Sequence, residues 1–450
     1  MALAIKENNQ LYISNFEAFE KNLNGEAKSW LHDVRRDALK RFDELGFPTT
    51  RNEEWRFTNV TRIAKEQFKH VHQADTSLVT PEDVQRFDYD GLDVHLFVFV
   101  DGYFAKELSA VKDLPPGIKA GSLAEALRTD AAPVKQHLTK YAQYDEDAFA
   151  ALSTAFIYDG AYIYLPENVL VEKPIHLLFL SSGRKEPFIT YPRNLFVAGK
   201  HSKATIIETY AGVEDNRYFT NTVTEVFVDE NAHIGHMKIQ EESNDAYHVS
   251  TTQVYQQANS NFVSNAITFG GLIVRNNPRA VLDAEGVEST LNGLYLGTGQ
   301  QLIDNHTTID HAKPHCNSHE LYKGVLDGNA RGVFNGKIFV RLDAQKTDAK
   351  QTNQALLLSD NATIDTKPQL EIFADDVKCT HGATIGQLDD DALFYLQTRG
   401  INNEMARDIL TYAFASDVID RIEIKELRDY CHHRVLVKLA QDRLEGIDKE

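Results

Sequence analysis

The chain has 450 residues, 42% of them hydrophobic and 10% aromatic, which is enough apolar material for two or three packed domains. Its 66 acidic against 47 basic side chains leave a formal charge of -19, which opposes a polyanionic partner, so no nucleic acid is expected. No stretch supplies the ~20 apolar residues of a membrane span, and no membrane association is expected.

Met1 to Tyr12 alternates polar and apolar side chains and lacks the basic-then-apolar order of a signal peptide. From Ser29 to Leu45, Trp30, Val34, Ala38, Phe42 and Leu45 recur at three or four residues, which predicts a helix stopped by Gly46 and Pro48. An acidic, polar stretch from Thr80 to Asp90 precedes the apolar run Val94 to Val100, a buried strand bounded by Asp101-Gly102. Helical spacing returns around Leu123 to Leu127 and Val134 to Tyr144. Residues 1–160 therefore read as a mixed, mainly helical N-terminal domain.

From 161 to 388 the texture is β. The runs Tyr162 to Leu165, Ile175 to Leu180, Val223 to Val228, Ala266 to Val274 and Lys337 to Val340 are separated by Gly, Asn and Asp. A pattern of small polar residue, Ala, variable residue, apolar residue appears at Lys203 to Ile206, Asn231 to Ile234 and Asn361 to Ile364, with a looser copy at Asn329 to Val333. Neighbouring copies recur after roughly 30 residues, the range of solenoid units. The expected fold class is mainly β, with a parallel β-helix core preferred over a sandwich because stacked coils tolerate irregular lengths. Residues 389–450 form a C-terminal helical region. Asp389 to Asp391 suit a helix start, Gly400 a stop, and a second helix follows from about Asn402. A third, near Glu423 to Leu444, carries Ile424, Leu427, Cys431, Val435 and Leu439 as a stripe that must pack on something.

The motifs narrow the chemistry. Gly199-Lys200 is followed by His201-Ser202, and Asn194 stands where a phosphate loop needs its first Gly, so ATP hydrolysis is not expected. Gly297-Thr298-Gly299 lacks a strand-to-helix transition and reads as a turn. His306, His311, His315, Cys316 and His319 are dense in metal-ligand types, but alternate residues of a strand face opposite sides and would not converge without a turn between them. Cys379 and His381 are two residues apart, so an extended backbone puts thiol and imidazole on one face, as a shared metal or sulfur site requires; a packed Cys beside a satisfied His is the plainer reading. An iron-sulfur cluster usually takes four thiolates or mixed Cys and His ligands, which the scattered Cys316, Cys379 and Cys431 cannot supply alone. An odd number of widely spaced cysteines also implies no disulfide framework, and a reducing cytoplasm is the expected setting. The carboxylates Asp375-Asp376 and Asp389 to Asp391 do not form the facing pair a β-helical glycosidase needs.

Asn52 to Phe57 (NEEWRF), Leu321 to Gly328 (LYKGVLDG), Ala330 to Gly336 (ARGVFNG), Thr366 to Gly386 (TKPQLEIFADDVKCTHGATIG) and Leu393 to Ile401 (LFYLQTRGI) carry a likeness. On them the chain resembles the SufB/SufD family over most of residues 160 to 420, and its SufD branch in particular, since Cys379-Thr380-His381-Gly382 stands where SufB resembles Glu-His-Glu. The resemblance implies a scaffold subunit of the SufBCD complex in iron-sulfur cluster assembly, not an enzyme itself, pairing with SufB through the β-helix and docking the ATPase SufC through the C-terminal helical region. It implies a nascent cluster only in the complex and none on the isolated chain. By the same resemblance, His381 is expected to face a SufB cysteine across the interface as a candidate metal ligand shared with SufB, or as a proton carrier, and Cys379 is the weaker candidate. The family's complex also carries reduced flavin, for which no fingerprint stands in this sequence. A purely structural subunit is the alternative, and homodimer formation by the isolated chain is left open.

Overall fold

In the computed structural model, which describes residues 2–23 and 29–447 and the side chains of 10–23 and 29–440, strands from Ala161 onward wind into a flattened parallel solenoid. Met1 and the last residues of the C-terminal region, 448–450, lie outside the described residues. Successive strands alternate between two sheets. Among the described residues one sheet holds 11 strands and the other 10, and the long pairings are all parallel. The fold is therefore mainly β with a β-helix core, as the texture predicts.

The coil period is set at one corner. His201, Asn231, Asn259, Gly286, His315 and Lys346 all take positive φ, about one coil apart, and each turns the chain from one sheet into the next. Asn and Gly adopt this left-handed conformation cheaply, while His and Lys are held there by the coils on either side. Ala232, Ala330 and Ala362 sit buried just before strands begin, so the short Ala pattern marks coil corners. Ala266 to Val274 is not one strand. Asn261–Thr268 and Ile273–Leu282 lie in different sheets, separated at Gly270-Gly271, where a Cβ on Gly270 would stand 2.1 Å from the Glu242 carbonyl oxygen.

Helices cover the outside of the solenoid. Trp30–Leu45 is capped by the Ser29 side chain accepting from the His32 N–H and ends at Gly46, φ 62°. Its buried face runs through Leu31, Arg35, Ala38 and Phe42, so Val34 sits at the margin and not in the stripe. Ala2–Lys21, which the alternation of Met1 to Tyr12 conceals, is a helix that buries Tyr12, Phe16 and Phe19 beside Phe42. The strand His95–Val100 joins the solenoid directly, pairing in parallel with Ile175–Ser181.

One expected helix fails for a visible reason. The helix Ala131–His137 stops before Thr139, φ 64°, and the following backbone turns around Glu225. That carboxylate accepts from the N–H groups of Thr139, Tyr141 and Ala142 at 2.8, 2.8 and 3.1 Å, and from Arg193 at 2.6 Å. Arg193 and Glu225 are both fully buried, so three backbone donors help satisfy a charge that would otherwise be costly. Helix Val134 to Tyr144 would have used those donors internally.

The C-terminal helices are Asp390–Thr398, Asn403–Ile419 and Lys425–Ile447. Asp389 and Asn402 cap the first two by accepting from the N–H groups of Ala392 and Met405. The stripe Leu427, Cys431, Val435 and Leu439 packs on Ile207, Met237, Ile239 and Ile267 of the solenoid's outer face. Among the described residues, no helix is long and apolar enough to cross a membrane.

Candidate functional site

The solenoid ends at Thr363–Ile372 in one sheet and Lys378–Gly386 in the other, and neither strand has a further coil beyond it. Every earlier coil is covered by the next. Here Ile372, Phe373 and Ile385 are 38%, 55% and 46% exposed, separate apolar side chains left uncovered along the two edge strands.

His381 lies on this open end, and its direction follows from register. In a parallel sheet, paired residues share a face. His381 pairs with Gln351, Gln351 with Glu320, Glu320 with Leu291, Leu291 with Ser264 and Ser264 with His236. Leu291 belongs to the interior core, so this row points inward and His381 is its last, exposed member. Cys379 pairs with the buried Ala349 and packs beside Ile338 and Val340. Thiol and imidazole are thus on one face, as their spacing of two predicts. Burial first, then the nearby Asp348 carboxylate, raise the Cys379 thiol above its ordinary pKa, which disfavours the thiolate.

Behind His381 the row is polar. Gln351 is buried, and its Nε2 donates to Glu320 Oε2 at 2.7 Å. Burial pushes the Glu320 carboxyl up to about 7. Deeper in, Lys238 Nζ donates to His248 Nε2, Ser250 Oγ and Asn276 Oδ1 at 3.0, 2.6 and 2.9 Å. Desolvation brings that ammonium down to about 8, against the opposing pull of Glu208 and Glu242. Sequence reading found neither Glu320 nor Gln351. The signal was the coil period, which places the two residues and His381 one coil apart.

The dense His/Cys segment does not converge. His306 points outward and meets Glu54, His311 is buried against Ser318 Oγ at 2.9 Å, His315 occupies a corner, and Cys316 is buried against the Ala284 carbonyl. Among the described residues no group of three or more His, Cys, Asp or Glu is arranged to hold a metal ion. Gly297-Thr298-Gly299 is a turn between strands, with Gly299 at φ 59°.

NEEWRF is a lock between the N-terminal region and the solenoid. The Arg275 guanidinium lies 3.8 Å from the centre of the Trp55 ring, donates to the Glu54 carbonyl at 2.7 Å and pairs with Asp304 at 2.6 Å, and Asp304 also accepts from Thr58 Oγ1.

Two family descriptions cover nearly the whole chain: "SufBD protein N-terminal region" matches residues 6–177, and "SUF system FeS cluster assembly, SufBD core domain" matches 179–414. This chain belongs to the SufBD family of iron-sulfur cluster assembly proteins. It is 34% identical to an iron-sulfur cluster assembly SufBD family protein of Synechocystis, over 90% of each chain. It is 30% identical to the iron-sulfur cluster assembly protein SufD of Escherichia coli, over 91% of this chain and 92% of that one. To SufD of Bacillus subtilis it is 27% identical, over 93% and 95%. The core match spans the solenoid and its open end, so the family's defining region is the part that carries Cys379 and His381.

Proposed function

We propose that this chain is a scaffold subunit that pairs end to end with SufB, docks the ATPase SufC through its C-terminal helices, and contributes His381 to the site where a nascent cluster forms. The observation that carries the reading is the placement of His381: an exposed imidazole on the interior row of an uncapped solenoid end, carried by one of its two edge strands. A second β-helix covering this end would bury Phe373 and Ile385 and bring its own groups to His381. The cluster is cargo. Neutral imidazole offers it one nitrogen ligand or one proton site, so the remaining ligands come from the partner.

The C-terminal surface supports the docking role. Helix Asp390–Thr398 buries none of its own residues, and Phe394 and Tyr395 are 66% and 58% exposed, with Met405 and Ile409 on the next helix. Apolar groups of this size on adjoining helices form a patch suited to another protein.

The test is His381→Ala in a complex reconstituted anaerobically with SufB and SufC. Cluster yield should fall sharply while subunit association, thermal unfolding and SufC ATP turnover stay near wild type. Cys379→Ala should be milder, since that thiol is packed. A stable His381→Ala complex with normal cluster yield would leave the chain as a purely structural subunit.

A further inference from the structure

We propose that Gln351, held in one orientation by Glu320, is a positioning residue for His381: its amide oxygen accepts a hydrogen bond from the N–H of one imidazole nitrogen and so leaves the other nitrogen's lone pair facing the open end. The inference rests on His381 being the working imidazole, and it adds what sets that imidazole's tautomer. Gln351 is 1% exposed, and its Nε2 is committed to Glu320 Oε2 at 2.7 Å. An amide has one donor end and one acceptor end, so a carboxylate that occupies the donor end fixes where the acceptor points. The acceptor Oε1 has no hydrogen-bond partner among the described residues, the exposed His381 ring included, a costly state for a buried carbonyl, and a turn of that ring is what would bring an N–H to it. The next residue in register along that row is His381. Paired residues of adjoining strands are about 4.8 Å apart, the spacing at which one side chain bridges to the next.

The surrounding positions narrow the choice. Across the interior Gln351 lies against Gly336, where a Cβ would stand 2.3 Å from its Nε2, so the glycine makes room for the amide. One coil on, Gly336 is followed in register by Pro368, whose side chain offers neither donor nor acceptor. The neighbouring Asn353 gives its amide N–H to Thr366 Oγ1 at 2.9 Å. Histidines that bind metals commonly donate the second ring N–H to a carbonyl or carboxylate behind them, which fixes ring and tautomer, and loss of such a partner costs about 10- to 100-fold in affinity or activity. Glu320 and Gln351 supply this arrangement from inside a solenoid.

The decisive measurement is nitrogen-15 imidazole NMR on the full isolated chain at about pH 8, with His381 assigned from the His381→Ala spectrum. A single His381 tautomer is expected in the wild type, reverting to the mixture of free imidazole in Gln351→Met and retained in Gln351→Glu, which keeps an acceptor oxygen. A free-imidazole mixture in the wild type, or a tautomer unchanged by Gln351→Met, overturns the inference and needs no cluster. In the reconstituted complex, Gln351→Met should slow cluster formation about tenfold, and should add nothing in a His381→Ala background. An additive loss in the double variant would show that Gln351 acts elsewhere and sink the positioning role. A harmless His381→Ala would instead fail the functional reading while leaving the tautomer result to stand or fall alone.

Discussion

Glu320→Gln should make the protein's stability less dependent on pH from roughly pH 5 up to neutrality. Burial raises the Glu320 carboxyl from an ordinary 4.5 to about 7, because desolvation penalises the charge more than its hydrogen bonds offset. The folded pKa lies above the unfolded one, so the fold keeps a proton that the unfolded chain releases. This contribution is full below the unfolded pKa and is lost as pH rises through about 7. A displacement of this size corresponds to about 3 kcal/mol in all, of which about 2 kcal/mol is lost between roughly pH 5.5 and 8.5. Glutamine cannot ionise, yet it keeps an oxygen to accept from Gln351 Nε2. Urea unfolding of wild type and variant across that window, taken as a difference, cancels the titration of other groups such as Lys238. The difference should move by about 2 kcal/mol in the variant's favour as pH rises. Two stability curves that stay parallel from pH 5.5 to 8.5 would refute the claim that Glu320 is buried without a compensating charge.

Two further changes probe the fold and the docking surface. Trp55→Ala removes a buried indole together with the ring beneath Arg275, and should cost about 3 to 5 kcal/mol, read as a lowered thermal midpoint and faster proteolysis of the N-terminal region. The paired change Phe394→Ser with Tyr395→Ser touches an exposed helix face, so stability should change by no more than ~0.5 kcal/mol while co-purification of SufC is lost. Undiminished SufC capture by that variant would place docking on another surface.

Which parts of this fold are legible in the sequence depends on whether the deciding contacts are local. Trp30–Leu45 is legible because its cap, its period and its stop all lie within the segment. Spacing fails at Val134 to Tyr144 because the deciding group, Glu225, is more than eighty residues away and takes the backbone donors for itself. Helix Ala148–Ala155 escapes a periodicity search because all eight of its residues are buried, so no polar face marks the turn of the helix. The coil period is faint because its left-handed corner is filled by Asn, His, Gly and Lys in different coils. That position is defined by a backbone angle, and residue type follows it only loosely.

The site shows the same division. Cys379 and His381 share a face because they are neighbours on one strand, and spacing alone conveys that. The Glu320 to Gln351 to His381 row is invisible to spacing, since its members meet only after two full coils have closed. Once the period is known, polar groups can be followed along the interior. Lys238 sits deep in the stack with an acceptor for each of its three protons, so its buried charge is satisfied within this chain. Near the open end, Gln351 Oε1 and Asn353 Oδ1 remain without partners among the described residues. Buried acceptors are rarely left in this state, and the cost falls on the coils next to the one His381 occupies. Unpartnered acceptors also occur deeper in the solenoid, at Gln240 Oε1 and Gln256 Oε1, so it is the exposure of Phe373 and Ile385 that marks this end as a surface another molecule completes.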